Sequence, residues 1–175
     1  MQVYLVRHGE THKNGDKKNG SRNKDKNSDL NTIGIEQAVL TGKIINESIG
    51  TDQECLIVYS PILRTQNTAY RIYSQIKTHT EMIFNEKIAN CVSKDSDVLL
   101  ANVLSLLKEL YKDHHNKLVI LVTHNHVIES AYKYASNSLE LNTYKVGNCS
   151  ITKMKFDDVN LLIEDFNCQD HLNIK

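Results

Sequence analysis

The chain carries no excess of charge of either sign: 21 Lys and Arg stand against 21 Asp and Glu. No overall field therefore draws it to nucleic acid or to an anionic membrane surface, and any preference for an anion has to be local. Paired cysteines are also missing. Cys55, Cys91, Cys149 and Cys168 are far apart and form no CxxC, so neither a zinc ribbon nor a dithiol redox motif is present. Scattered reduced thiols fit a cytoplasmic protein. Long apolar runs are absent. The first six residues are mostly apolar, but no basic leader precedes them and Arg7 and His8 follow at once. That is too short for a signal peptide or a membrane span. There is no glycine loop of the Walker type and no carboxylate cluster of the kind that holds magnesium, so neither a divalent metal nor another cofactor is expected.

What is there, in 175 residues, predicts a single domain over residues 1–175, long enough to bury a core without disulfide or metal staples. Apolar, β-branched runs at 3–6, 55–59 and 118–122 are continuous rather than alternating, as in strands covered on both faces. Helical spacing lies between them. From Ile35, positions Ala38, Val39, Gly42, Ile45 and Ile49 recur three and four apart, with Asn31 and Thr32 as cap residues. A second helix follows Pro61, with Ala69, Ile72, Tyr73 and Ile76 on one stripe. Residues 98–111 make a third, with Val103, Leu106, Leu107 and Leu110 inward, and residues 127–135 a fourth. Segments 151–156 and 161–166 flank a polar turn and read as a hairpin or strand pair at the sheet edge. The expected fold is α/β, a three-layer sandwich with a mostly parallel central sheet and helices on both faces. Residues 12–29 are almost wholly Lys, Asn, Asp, Gly, Ser and Arg, so they form a long exposed loop. Asp16, Asp25 and Asp29 interrupt its lysines and no aromatic is interleaved for stacking, which argues against a nucleic-acid arm.

In open α/β sheets the ligand sits beyond the carboxyl ends of the strands. The first run ends in Arg7-His8-Gly9-Glu10-Thr11, the second in Ser60-Pro61 with Arg64 one turn into the helix, and the third in Thr123-His124-Asn125. Two arginines and two histidines about one pocket describe an anion site, and guanidinium forks match phosphate oxygens. Helix starts after Pro61 and His124 add backbone donors. Either histidine alone reads as a structural residue, as His79, His114, His115, His126 and His171 do; the recurrence at strand ends is what marks His8 and His124.

The same residues carry a resemblance. Arg7-His8-Gly9-Glu10-Thr11 with Asn14, then Asp29-Leu30-Asn31-Thr32 with Gly34 and Gln37-Ala38, then Ser60-Pro61-Ile62-Leu63-Arg64-Thr65 with Thr68-Ala69 follow in order. Asn85-Glu86, Val122-Thr123-His124-Asn125, Gly147-Asn148-Cys149-Ser150 and a closing stretch from Asn167 to Leu172 complete the set. The chain resembles the histidine phosphatase superfamily, the phosphoglycerate-mutase-like group, over essentially its whole length. The resemblance implies that His8 becomes phosphohistidine, with Arg7, Arg64 and His124 clamping the nonbridging oxygens. Asn14 and Thr11 serve as neutral donors, and Ser60 and Asn125 border the phosphate. Glu86 is the expected general acid, although the glycines usual after that pair are replaced by Lys87-Ile88-Ala89-Asn90-Cys91; Glu81, Asp95 and Asp97 are the other acids available. Glu10 orients the loop. The implied partner is a small phosphorylated substrate, with neither nucleic acid nor membrane. Water is the expected acceptor, so hydrolysis of a phosphomonoester leads; a phosphoglycerate-type mutase and a catalytically weak phosphate binder are the alternatives. Sugar phosphates, phosphoserine, phosphotyrosine, phosphohistidine and nucleotide-derived esters all present the same oxygens. An edge strand would allow a dimer, but no residue marks one.

Overall fold

A computed structural model describes residues 1–12, 28–89, 95–137 and 145–173. Asn14, most of the 12–29 segment and the Asn90-Cys91 end of the altered segment lie outside the described residues.

The continuous apolar runs are strands for the reason their composition gives: each side chain has a covered face to enter. β1 (Gln2–Arg7), β2 (Cys55–Tyr59) and β4 (Leu118–Thr123) are the inner parallel strands, and β3 (Thr80–Phe84) joins β2 in parallel at one edge. β5 (Ile151–Phe156) runs antiparallel to β1, and β6 (Leu161–Cys168) closes the hairpin at the other edge. The order across the sheet is β3-β2-β4-β1-β5-β6.

The two sides of each inner strand feed two separate cores. Leu56, Val58, Val119 and Leu121 pack with Leu99, Val103, Leu106, Leu107, Val127 and Ile128, which come from α3 (Ser96–His114) and α4 (Asn125–Ser136). Ile57, Ile120 and Val122 pack with Ile45, Ala69 and Ile72, from α1 (Thr32–Ser48) and α2 (Leu63–Tyr73). Burying such a side chain contributes roughly 1.5–3 kcal/mol, so the alternation fixes strand register and helix placement together. The result is the expected three-layer α/β sandwich.

Asn31 caps α1 as expected, its Oδ1 accepting from the Gly34 amide at 2.8 Å, and the helix starts at Thr32. Other details differ from the sequence reading. Pro61 stands before the Ile62 cap of α2 instead of opening the helix. That helix stops at Tyr73, which is exposed, and Ile76 enters the core from the turn beyond it. The stripe was real for Ala69 and Ile72; the chain leaves the helix before Ile76. Segment 80–84 is a strand although only its last three residues are apolar, because it is an edge strand with a mostly exposed pattern. Segments 151–156 and 161–168 do form a hairpin at the sheet edge.

Candidate active site

All inner parallel strands end at one edge, and the loop after β1 is fixed there from several sides. The His8 amide donates to the Thr123 carbonyl at 3.0 Å, and the Gly9 amide to Thr68 Oγ1 at 3.0 Å. Asn148 Nδ2 donates to the His8 carbonyl at 2.9 Å, and the Cys149 amide to the Arg7 carbonyl at 3.0 Å. The bend past His8 depends on close backbone approach. A Cβ on Gly9 would lie 2.5 Å from the Gly34 carbonyl oxygen, and one on Gly34 would lie 2.0 Å from that of Glu10. Only glycine fits either position, and this brings the N-terminal end of α1 against the loop. Glu10 is tied in as well: its carboxylate accepts from Asn31 Nδ2 at 2.8 Å and its amide donates to Gln37 Oε1 at 2.9 Å.

Arg7 and His8 are each only 6 % exposed. The Arg7 guanidinium donates to the Val146 carbonyl at 2.5 Å, while its Nε is buried without a partner. His8 Nδ1 lies 2.8 Å from its neighbour's carbonyl, that of Gly9. A carbonyl can only accept, so Nδ1 carries the proton and Nε2 keeps its lone pair. Burial, then the charges of Arg64, His124 and Arg7, hold the His8 imidazole well below the ordinary histidine range, against a smaller opposing effect from the Gly9 bond. The ring is therefore neutral at pH 7.

His124 follows β4 as the cap of α4, its ring centroid 5.5 Å from that of His8 at an interplanar angle of 61°. Its Nε2 is 2.9 Å from Ser60 Oγ and its Nδ1 is 3.2 Å from an Arg64 guanidinium nitrogen. Burial, then Arg64 and Arg7, push its pKa down to about 3. Arg64 is placed by its own helix, where its carbonyl accepts from the Thr68 hydroxyl at 2.7 Å. Thr68 thus links α2 to the loop of His8 at the same time.

Of the residues singled out in the sequence, His8, His124, Ser60 and Arg64 form one network, with Arg7 beside it. Asn125 opens α4 and joins Arg7, Glu10, His126, Lys145 and Asn148 in lining a cavity of about 620 Å³ next to the guanidinium. Thr11 is buried in an isolated bridge with Leu30. Glu86 stands outside the network, exposed on a single 3-10 turn, Glu86–Ile88. That turn reaches the site edge through the Thr123 hydroxyl, which donates to the Ile88 carbonyl at 2.6 Å. His171, read as structural, braces the loop before β5: its Nε2 is 3.2 Å from the Cys149 carbonyl and 2.9 Å from Thr41 Oγ1. Sequence reasoning gave Thr68 and Asn148 no role of their own. Their bonds run to backbone atoms of the His8 loop, for which neither periodicity nor charge leaves a signal. Among the described residues, no three His, Cys, Asp or Glu side chains gather as a metal site, and no helix is long and apolar enough to cross a membrane.

A central sheet of this order, covered on both faces and carrying Arg-His-Gly at the end of its first strand with a second histidine at the end of a neighbouring one, defines the phosphoglycerate-mutase-like class. The chain belongs to the histidine phosphatase superfamily, branch 1, whose family model matches residues 3–92 and 93–169. Among solved structures it is similar to a phosphoserine phosphatase variant from Entamoeba histolytica in complex with phosphoserine, with a TM-score of 0.74 at 19% identity over 98% of each chain. It is also similar to a mycobacterial glucosyl-3-phosphoglycerate phosphatase in complex with VO3, with a TM-score of 0.73 at 17% identity over 96% of this chain and 99% of that one. YhfR of Bacillus stearothermophilus gives a TM-score of 0.75 at 15% identity over 98% and 99%. No curated protein sequence matches the chain at a significant level.

Proposed function

We propose that the protein is a metal-independent phosphatase that hydrolyses a small phosphomonoester through a phosphohistidine on His8. The observation that carries this reading is the state of the His8 ring: neutral, buried, and with Nδ1 committed to the Gly9 carbonyl so that Nε2 is the free nucleophile. Nε2 attacks phosphorus, a P–N bond forms, and the P–O bond to the leaving alcohol breaks. Arg7 and Arg64 balance the charge that spreads over the nonbridging oxygens, usually the largest catalytic effect. His124 takes part at the same edge through its ring, whose Nδ1 meets the Arg64 guanidinium at 3.2 Å. In this scheme the leaving alkoxide takes a proton from Glu86. Water then attacks the phosphohistidine, gives its proton back to Glu86, and releases phosphate with His8 restored.

Asn14 and Asn125 are further donors to the phosphate in this scheme, and Thr11 supports the loop from its buried bridge. The phosphatase names among the similar structures favour water over a second sugar phosphate as acceptor. Free thiols at Cys55, Cys149 and Cys168 support a cytoplasmic setting.

The test is phosphate release from a generic aryl phosphate in excess EDTA, for the intact protein and for His8→Ala. Chelator-resistant release that falls by about a thousandfold or more in the variant is expected for loss of a nucleophile. Release that EDTA stops would overturn the metal-free mechanism, and release that survives His8→Ala would overturn the nucleophile.

A further inference from the structure

His124 stands among the groups expected to hold phosphate, yet both of its ring nitrogens are already bonded inside the protein. Nε2 meets Ser60 Oγ at 2.9 Å and Nδ1 meets the Arg64 guanidinium at 3.2 Å. A guanidinium only donates, so Nδ1 has to present its lone pair. The single proton of the neutral ring then sits on Nε2 and is donated to the Ser60 hydroxyl oxygen.

Ser60 is built as a fixed acceptor. It is fully buried at the end of β2. Its amide donates to the Val122 carbonyl at 3.1 Å, its carbonyl accepts from the Thr65 hydroxyl at 2.8 Å, and Pro61 follows it and restricts its backbone. The strand end, the first turn of α2 and the end of β4 are thus all joined at this one residue. The hydroxyl has little freedom to follow a ring that turns.

We propose that Ser60 is a positioning residue: its hydroxyl keeps the His124 proton on Nε2, so that Nδ1 remains the acceptor that holds the Arg64 guanidinium in place. Ser60 then touches no substrate atom and acts through His124 on Arg64. If the hydroxyl is removed, Nε2–H becomes a buried donor with no partner. Moving the proton to Nδ1 relieves that, but it sets a donor against the donating guanidinium and releases Arg64. The kinetic consequence rests on the phosphatase reading; the tautomer does not.

The two are separable in one experiment on the full chain. Imidazole 15N–1H correlation spectra of the intact protein and of Ser60→Ala, with His124 assigned against His124→Gln, read the tautomer directly, and aryl phosphate turnover is measured on the same samples. The intact protein is expected to show His124 protonated on Nε2 with a bare Nδ1. Ser60→Ala is expected to show a mixture of tautomers and a kcat lowered by about tenfold or more with little change in KM, since Arg64 is then only partly held as a preorganised charge. A His124 protonated on Nδ1 in the intact protein would overturn the proposal even if the variant failed to fold. An unchanged tautomer in a folded Ser60→Ala would overturn it too. Absence of turnover in the intact protein would instead count against the phosphatase reading, with the spectra still deciding the role of Ser60.

Discussion

The two halves of the sheet meet at one edge and contribute different kinds of group. The parallel half, β1 to β4, delivers side chains: His8 just past β1, Ser60 past β2 with Arg64 in the following helix, and His124 past β4. The antiparallel hairpin delivers mainly backbone. The loop before β5 gives the Val146 carbonyl to the Arg7 guanidinium, the Cys149 amide to the Arg7 carbonyl, and the Ser150 carbonyl to the Arg7 amide at 3.4 Å. Asn148 is the exception, a side chain bonded to the His8 carbonyl, and even there the target is main chain. Holding this loop requires Cys149 at φ 55, a left-handed conformation unusual for a side chain with a Cβ. The side chains of the candidate site come from one half and their placement depends on the other.

The largest expected effect belongs to the parallel half and its neutral histidines. A ring whose folded pKa lies below its unfolded value near 6.5 leaves the unfolded state with more bound protons, so stability is full above pH 6.5 and falls as the pH drops. For His124 the fall continues to about pH 3, where the folded state also takes the proton. The slope is about 1.4 kcal/mol per pH unit for each such histidine, and His8 adds its own. Urea unfolding between pH 6.5 and 4 is therefore expected to be flatter in His124→Gln than in the intact protein by that amount. Equal slopes would mean that the ring is not held neutral. Next in size is Arg64→Ala, where a roughly hundredfold fall in kcat for an aryl phosphate is expected from loss of one preorganised charge. A loss under about tenfold would detach Arg64 from the phosphate.

The two halves were also unequally legible. Strands buried on both faces announce themselves by unbroken runs such as Leu118 to Val122, and an Arg or His directly after such a run is visible without any coordinates. Arg64 could be placed because Pro61 marks the turn ahead of its helix. Edge strand β3 was not read as a strand, since exposure removes the pressure for apolar residues at Thr80 and Glu81. Ile76 looked helical because it fills the same core as Ile72, and spacing cannot tell a helix from the turn that follows it. The loop before β5 was visible only as a likeness in Gly147-Asn148-Cys149-Ser150, and its work is done by amides and carbonyls that every residue type carries. Glu86 was legible as a carboxylate after an apolar stretch; the 3-10 turn that holds it outside the network has no pattern of its own.

Asn148→Ala tests the hairpin half at its site end. The His8 carbonyl loses a donor worth about 1 kcal/mol, so kcat is expected to fall by at most about fivefold, with the unfolding midpoint only slightly lower. An unchanged kcat would show that the backbone bonds from Cys149 and to Ser150 hold the His8 loop without the side chain.

The smallest effect is at the far end of the same hairpin, where Asp158 takes φ 80 in the exposed turn between β5 and β6. Its neighbours Val159 and Asn160 donate their amides to the Asp157 carboxylate at 3.1 and 2.6 Å, so the turn is held by Asp157 and not by Asp158. Asp158→Gly removes a Cβ from a left-handed conformation that glycine adopts more readily than aspartate. It is expected to stabilise the fold by about 0.5–1 kcal/mol, raising the melting temperature by a few degrees, with kcat unchanged. A changed kcat would mean that movement at the turn travels the length of β5 to the loop that grips Arg7. The hairpin would then transmit as well as brace, and its two ends could no longer be treated as independent.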